Sequence, residues 1–231
     1  MSIHTNSHAK EFIKLFKEIG SKYSYSSLWY DFVLITACSL SVVTDSSQRV
    51  NRLTRMDEAL KRYSEDEQNQ LQQLFAITQD ALKSKPDQDF LGEIYGALGL
   101  YQKSTSQFFT PYNVSKMMAL MILGNPAEEI KQKGMISIND PCCGAGAMLI
   151  AAANACQEQG VDIGRDVLIV AQDIDPVVAL MCYIQLFTLE CAGFIRIGNT
   201  MKMEPMAPEN TWLLPGLFQQ AWVDRGVMEV A

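Results

Sequence analysis

The chain has 231 residues, of which 48% are hydrophobic and 19% are charged, so it can bury a sizeable core. This composition excludes an intrinsically disordered chain. The formal net charge of −7 opposes unaided binding to nucleic-acid phosphates, so the charge gives no support for DNA as a direct partner.

The N-terminal residues and the cysteines indicate where in the cell the protein is expected. Residues 1–10 are polar and the longest apolar runs fall short of a membrane span, so we expect no secretory signal, no membrane contact and a cytoplasmic location. Six cysteines show no C-x-x-C spacing, which is typical of buried reduced thiols in a cytosolic protein. The two histidines, His4 and His8, lie in the polar N-terminus, which argues against a histidine-based metal site or catalytic triad.

The first hundred residues have the periodicity of helices. Apolar residues recur at helical spacing over Lys10–Ile19 and Ser26–Val43. Ser64–Glu67 has the form of a capping box and begins a further helix that Lys85-Pro86 ends. We therefore predict a helical N-terminal region over residues 1–104.

A basic cluster lies within this helical region. Arg49, Arg52 and Arg55 share roughly one face of a predicted helix. Two interpretations remain open: a solvated face balanced by Asp57 and Glu58, which is the more common outcome, or a face that contacts phosphate.

From Met135 onward, short apolar runs alternate with helical patterns. The predicted strands are 136–139, 167–172 and 194–197, and the predicted helices between them are 146–158 and 176–189. Strands separated by helices of this length pair in parallel through right-handed crossovers. We therefore predict an α/β fold in which residues 105–231 form an open parallel sheet of three to four strands, with the strand that contains Ile136 and Ile138 near its centre.

A glycine-containing turn follows the first predicted strand. Gly144 and Gly146 lie between that strand and an apolar helix, where the missing Cβ atoms let backbone amides approach a ligand. Asp140 ends the first strand and Asp173 ends the second, a pattern typical of sites for a nucleoside-bearing cofactor. A dinucleotide is disfavoured, because the third glycine that its fingerprint requires is replaced by Leu149.

The acidic residues have distinct expected functions if the cofactor is S-adenosylmethionine. Asp140 would hold the methionine amino group, directly or through water. Asp173 would accept the ribose hydroxyls, and Asp175 is the alternative residue for this contact. We expect Asp175, which precedes Pro176, to cap the next helix instead.

Residues 89–201 resemble the adenine-N6 DNA methyltransferases, and especially the modification subunits of type I restriction-modification systems. Four motifs carry the resemblance in the family's order: Gln-Phe-[Tyr/Phe]-Thr-Pro at Gln107–Pro111, Asp-Pro-x-Cys-Gly-[Ser/Thr]-Gly at Asp140–Gly146, Gly-Gln-[Glu/Asp]-Ile-[Asn/Asp]-Pro at Ala171–Pro176, and Gly-Asp-[Ser/Thr]-Leu at Gly198–Met201.

The resemblance implies a Rossmann-like, S-adenosylmethionine-dependent methyltransferase sheet, here present in part. Phe109, Thr110 and Pro111 would line the methionine and sulfonium side of the cofactor, and Ile174 would flank the adenine. Asn199 replaces an aspartate that accepts adenine N6 hydrogens, and its amide oxygen can still accept one. The cofactor-binding residues so assigned are Phe109, Thr110, Pro111, Asp140, Cys143, Gly144, Gly146, Asp173, Ile174 and Asn199.

The family's catalytic motif, [Asn/Asp/Ser]-Pro-Pro-[Tyr/Phe], is absent from the sequence. The adenine amine is a poor nucleophile, so the family flips the base, stacks it on the aromatic residue and accepts the N6 hydrogens at this motif. No two of the eight prolines are adjacent, and no catalytic residue can be assigned. Without the strand that carries this motif, the first strand would have an open edge, which residues 202–231, another protein or a second copy would cover.

Three functional interpretations follow. The chain is a methyltransferase subunit that a partner completes, a cofactor-binding but non-catalytic regulatory or interaction module, or a structural remnant that binds neither cofactor nor DNA. Taken alone, we expect it to bind S-adenosylmethionine and to be catalytically inactive or partner-dependent.

Overall fold

The computed structural model describes residues 6–101, 109–202 and 207–227. The predicted Gln107-Phe108 pair and the predicted boundary at 104/105 lie outside these residues, so the division into two regions stays a prediction.

The described part of the N-terminal region is helical, as predicted. Its helices are α1 (Ser7–Ile19), α2 (Tyr25–Thr44), α3 (Arg49–Leu60), α4 (Glu65–Ser84) and α5 (Phe90–Ala97). The capping box at the start of α4 is confirmed, because the Ser64 hydroxyl accepts from the Glu67 amide while the Glu67 carboxylate accepts from the Ser64 amide. These reciprocal bonds satisfy amides that a helix start leaves unpaired.

Helix α2 corrects the expectation that no apolar run reaches the length of a membrane span. Within the described chain it is the helix that is long and apolar enough to cross a membrane. A buried core helix has the same composition, and Leu28, Trp29 and Phe32 of α2 are fully buried. Packing within the protein therefore accounts for the apolar character of these positions.

The second half of the described chain alternates helices and strands. The helices are α6 (Tyr112–Leu123), α7 (Pro126–Lys133), α8 (Ala147–Glu158), α9 (Ile163–Asp166), α10 (Pro176–Thr188) and α11 (Gln220–Asp224), and the strands are β1 (Ile136–Asp140), β2 (Val167–Asp173), β3 (Ala192–Ile197) and β4 (Thr211–Leu213).

The sheet is small and mixed, and its strand order is β1-β2-β3-β4. β1 pairs in parallel with β2 and β2 with β3, as predicted, whereas β4 pairs antiparallel with β3. The predicted central position of the strand with Ile136 and Ile138 is wrong for the described chain, because β1 lies at an edge. The C-terminal segment adds its strand at the opposite edge, where Trp212 is fully buried.

Arg52 of α3 contacts the segment that contains β4. Its guanidinium is 3.5 Å from the centre of the Trp212 ring, and it donates to the carbonyls of Glu209 and Thr211 at 2.9 Å each. Arg52 is fully buried. At this position both interpretations of the basic cluster, a solvated face and a face that contacts phosphate, are therefore wrong. The contact joins α3 to the C-terminal segment.

The layers follow from the direction of the crossovers. Right-handed crossovers that step from β1 to β2 to β3 place α8 and α10 on one face of the sheet. On the other face, Leu217 and Trp222 form a separate small cluster with Ala192, against which Leu168 packs. The larger core is continuous from the N-terminal helices to β2 and α10.

Candidate functional site

The carboxyl ends of β1, β2 and β3 bring the predicted motif loops together. Ligands of open α/β sheets bind in the crevice at this end of the strands. The Gly198 amide donates to the Asp173 carbonyl at 2.9 Å, and the Thr200 hydroxyl donates to the Pro141 carbonyl at 2.7 Å. The loops after the three strands are therefore bonded to one another.

Asp173 links the glycine loop to the start of α10. Its carboxylate accepts from the Gly144 amide and from the Asp175 amide, both at 2.9 Å. A carboxylate offers about four acceptor positions, so two remain for a ligand. Asp175 caps α10 by accepting from the Val177 amide at 2.8 Å, with Pro176 at the first helical position, which confirms the predicted cap.

The two motif glycines have conformations that other residues rarely adopt. Gly144 has φ +53° and Gly146 has φ +95°. A Cβ on Gly146 would also lie 2.8 Å from Cys182 Sγ, so both space and conformation require glycine there. A Cβ on Gly144 would lie 3.6 Å from the ring of Phe109, which places that ring against the loop.

Asp140 lies at the end of β1 and its carboxylate accepts from the Cys142 amide at 3.1 Å. Burial and the nearby negative charge of Asp173 raise the pKa of Asp140, and they outweigh the effect of that amide. A cationic group bound beside these two acids would relieve the repulsion between them.

Cys143 is part of the glycine loop and is buried, as predicted for a thiol of this chain, whereas its neighbour Cys142 is exposed. The Cys143 amide donates to the Gln172 carbonyl at 2.9 Å, which pins the loop to the end of β2. A hydrogen bond with the Cys143 thiol and burial raise the pKa of Cys182 well above its usual value. A raised pKa disfavours the thiolate, which is the reactive form of a cysteine.

Phe109 also borders a cavity of about 320 Å³ between α5 and the start of α6. Its ring stacks on Tyr95 with 5.8 Å between centroids and meets Tyr101 edge-on at 5.2 Å. Charged and polar residues line the cavity beside Phe109, Thr110 and Pro111; they include Lys85, Asp87, Asp89 and Glu93. Both signs of charge are present, which suits a zwitterionic group.

A profile of the N-6 DNA Methylase family matches residues 86–212, more than half of the chain. The chain belongs to this family. The type I restriction enzyme MjaIX methylase subunit of Methanocaldococcus jannaschii is 30% identical over 114 residues, which are 48% of this chain and 18% of that relative. The chain thus spans about a fifth of the relative's length, and the predicted family is confirmed.

In this N-6 DNA methylase family member, sequence reasoning missed one residue that organises the site. Gln185 of α10 is fully buried, and its amide nitrogen donates to the Ala145 carbonyl at 2.9 Å and to Asp89 at 2.8 Å. Its amide oxygen accepts from the Leu91 amide at 3.0 Å. The available sequence clue was a lone glutamine within an apolar helix, because a buried amide must be hydrogen-bonded.

Asp89 connects this network to the cavity. It is nearly fully buried, caps α5 by accepting from the Gly92 amide at 3.0 Å, and lines the cavity wall. Burial raises its pKa. Burial and the charge of Asp89 also raise the pKa of Glu93 on the next turn. The glycine loop, Gln185 and the acidic cavity wall therefore form one connected unit.

The two residues predicted to lie beside the adenine, Ile174 and Asn199, follow β2 and β3. Ile174 is 65% exposed after the end of β2. The Asn199 side-chain oxygen accepts from the Met201 amide at 2.9 Å, which leaves that oxygen one further acceptor position. Asp140 lines a second, apolar cavity of about 330 Å³ between β1, α6 and α8, and neither cavity is lined by Asp173. No cluster of three metal-binding side chains is found in the part of the chain that the structure describes.

Proposed function

We propose that the chain binds S-adenosylmethionine at the carboxyl ends of β1, β2 and β3, on a sheet that is Rossmann-like in part. The observation that carries the proposal is the bond between Asp173 and the Gly144 amide in a loop with positive φ angles. Gly144 has no side chain to fill the space in front of the Phe109 ring, so the residues present fit a flat nucleoside cofactor with a charged end.

The cofactor would lie across the three loops. Phe109, Thr110 and Pro111 would border its methionine and sulfonium side, and Asp140 would hold its amino group. Asp173 would accept the ribose hydroxyls. The remaining contacts would come from Cys143 and the amides of Gly144 and Gly146 in the loop, and from Ile174 and Asn199 beside the adenine. When bound, the cofactor supplies an electrophilic methyl group.

We further propose that the chain alone does not methylate DNA. The sequence holds no adjacent prolines, and the net charge of −7 opposes contact with DNA phosphates. The matched relative is named a subunit, which makes a protein partner a reasonable expectation for this chain, and we place that contact at the edge of β1 that no described strand covers. The alternative is a non-catalytic regulatory or interaction module that keeps the cofactor site.

Calorimetric titration of the full chain with S-adenosylmethionine tests the cofactor proposal. Saturable binding with one site is expected, and the absence of binding would contradict it. Transfer of a labelled methyl group to unmethylated DNA tests the catalytic proposal. We expect none from the chain alone; robust incorporation would show that it is a complete enzyme.

A further inference from the structure

Helix α6 presents an apolar stripe to solvent. Six of the fourteen exposed large hydrophobic residues of the described chain lie on this one helix, between 39% and 76% exposed: Val114, Met117, Met118, Leu120, Met121 and Ile122. Five of them follow the spacing i, i+3, i+4, i+7 and i+8, which forms one continuous helix face. Such a face normally packs against another element, and large exposed apolar patches mark interaction sites.

Ile122 brings one side of the stripe close to β1, which lies at an edge of the sheet among the described residues. β1 pairs only with β2 among the described residues, and Ser137 and Asn139 of β1 are exposed. The apolar cavity of about 330 Å³ separates β1 from α6, with Ile122 and Ile138 in its walls. An unpaired strand edge and an apolar helix face therefore form one surface, which we call the α6–β1 surface.

We propose that the α6–β1 surface binds a second copy of this chain across a two-fold axis. Two copies of β1 would pair antiparallel, which extends the sheet through the interface and satisfies both free edges. Because α6 flanks β1, the same two-fold axis brings the two α6 stripes together. An isologous interface of this kind uses one surface twice.

The available area is sufficient for a stable dimer. At about 200 Å² for a fully exposed side chain of this size, the five residues of this face expose roughly 570 Å² per copy, so their complete burial in two copies would cover about 1,150 Å², close to the roughly 1,200 Å² at which stable interfaces begin. This figure leaves out β1 itself, so the whole α6–β1 surface exceeds it.

Charge also permits self-association at this surface despite the net charge of −7. Lys116 is the single charged residue of α6, and its ammonium group pairs with Asp87 and Glu158 at 3.0 Å each, outside the stripe. The stripe is therefore neutral, and two copies of it meet without repulsion. The methionine side chains can adjust their shape to an identical partner.

This inference rests on the proposed partner contact at β1 and not on cofactor binding. Sedimentation equilibrium of the full chain over a wide concentration range is the test. The expected result is a monomer–dimer equilibrium with a dimer of twice 25.8 kDa. A mass that stays at that of the monomer throughout would overturn the proposal.

Paired glutamate variants locate the interface. Met117→Glu with Met121→Glu should weaken dimerisation by roughly 100-fold or more, because like charges would face each other across the axis. Both positions are exposed and glutamate is a good helix former, so the fold should persist, as circular dichroism can check. Val43→Glu with Val50→Glu changes two exposed residues on α2 and α3 and should leave dimerisation unchanged.

The remaining outcomes are equally decisive. A dimer that survives the α6 substitutions, or one that the α2 and α3 substitutions abolish, would place the interface elsewhere and overturn the inference. Hydrogen exchange at the β1 amides should be slower in the parent dimer than in the α6 variant, and equal rates would refute the strand pairing. Cofactor titration of the α6 variant should match the parent, which separates this test from that of the cofactor site.

Discussion

Asp173 joins two loops through its carboxylate, and we propose that the same group binds ribose. Asp173→Ala should weaken S-adenosylmethionine binding by about 1–3 kcal/mol, because ribose hydroxyls would lose their acceptor and the Gly144 amide would lose its partner. Calorimetry measures the change. Asp224→Ala removes an exposed carboxylate on α11 and should leave the affinity unchanged. An unaltered affinity for the Asp173 variant would contradict the assigned function.

Gln185 supports the same site from the interior. Gln185→Leu has a similar volume but leaves the Leu91 amide and the Ala145 carbonyl without their partner. Each buried group left unpaired costs about 1–3 kcal/mol, so we expect a lower free energy of unfolding and weaker cofactor binding. Urea unfolding and calorimetry measure the two effects.

A matched control exists on α7 for the Gln185 substitution. Gln132→Leu removes an exposed amide that donates to Glu128 at 3.2 Å, and should change the free energy of unfolding by less than about 0.5 kcal/mol. If the Gln185 and Gln132 variants were equally stable, the buried network would have no energetic importance.

Local chemistry decided which residues could be predicted from the sequence. Gly146 and the Asp175 cap follow from nearest neighbours along the chain, and the structure shows the expected conformation and hydrogen bond at both. Arg52 and Gln185 could not be placed, because their partners lie far away in sequence: Thr211 for Arg52 and Asp89 for Gln185. Burial of a polar side chain depends on such distant contacts.

Among the secondary-structure elements, the sequence predicted the helices more reliably than the order of the strands in the sheet. Helix α7 was not among the elements predicted from the sequence, although Asn125-Pro126 is a typical helix start. In the structure Asn125 caps α7 and Pro126 takes its first position, where a missing amide costs nothing. The order of the strands depends on which edge the C-terminal segment covers, and periodicity carries no information on that choice.

The start of α4 makes a prediction about acid stability. Hydrogen bonds from Lys22 and from the Ser64 amide hold the pKa of Glu67 at about 2, below its usual 4.5. A lowered pKa contributes stability above pH 4.5 that is lost as the pH falls towards 2. Glu67→Gln should therefore be less stable than the parent at neutral pH, and the difference should shrink between pH 4.5 and 2.

Urea unfolding at several pH values measures this difference. Glu65→Gln changes an exposed glutamate in the same first turn and serves as the control. Its stability relative to the parent should show little dependence on pH over the same interval. A constant difference for the Glu67 variant would show that the ion pair with Lys22 has no effect on acid stability.

Over the whole molecule, buried contacts connect the N-terminal helices to the sheet. Trp29 donates to Met181 Sδ at 3.4 Å, Leu91 bonds to Gln185, and Arg52 stacks on Trp212. We therefore expect one cooperative unfolding transition, in which tryptophan fluorescence and far-ultraviolet circular dichroism coincide in urea. Two separate transitions would show instead that the regions on either side of the predicted boundary at 104/105 are independent domains.

The composition of the α6 stripe makes it sensitive to oxidants. Met117, Met118 and Met121 are 57%, 39% and 76% exposed in the single chain, so peroxide can reach their thioethers whenever the proposed dimer dissociates. Conversion to the sulfoxide adds a polar oxygen and disrupts methionine-rich interfaces. Treatment with peroxide should therefore shift the chain towards the monomer, and enzymatic reduction of the sulfoxides should restore the dimer. The state of assembly would then report the oxidative history of each preparation.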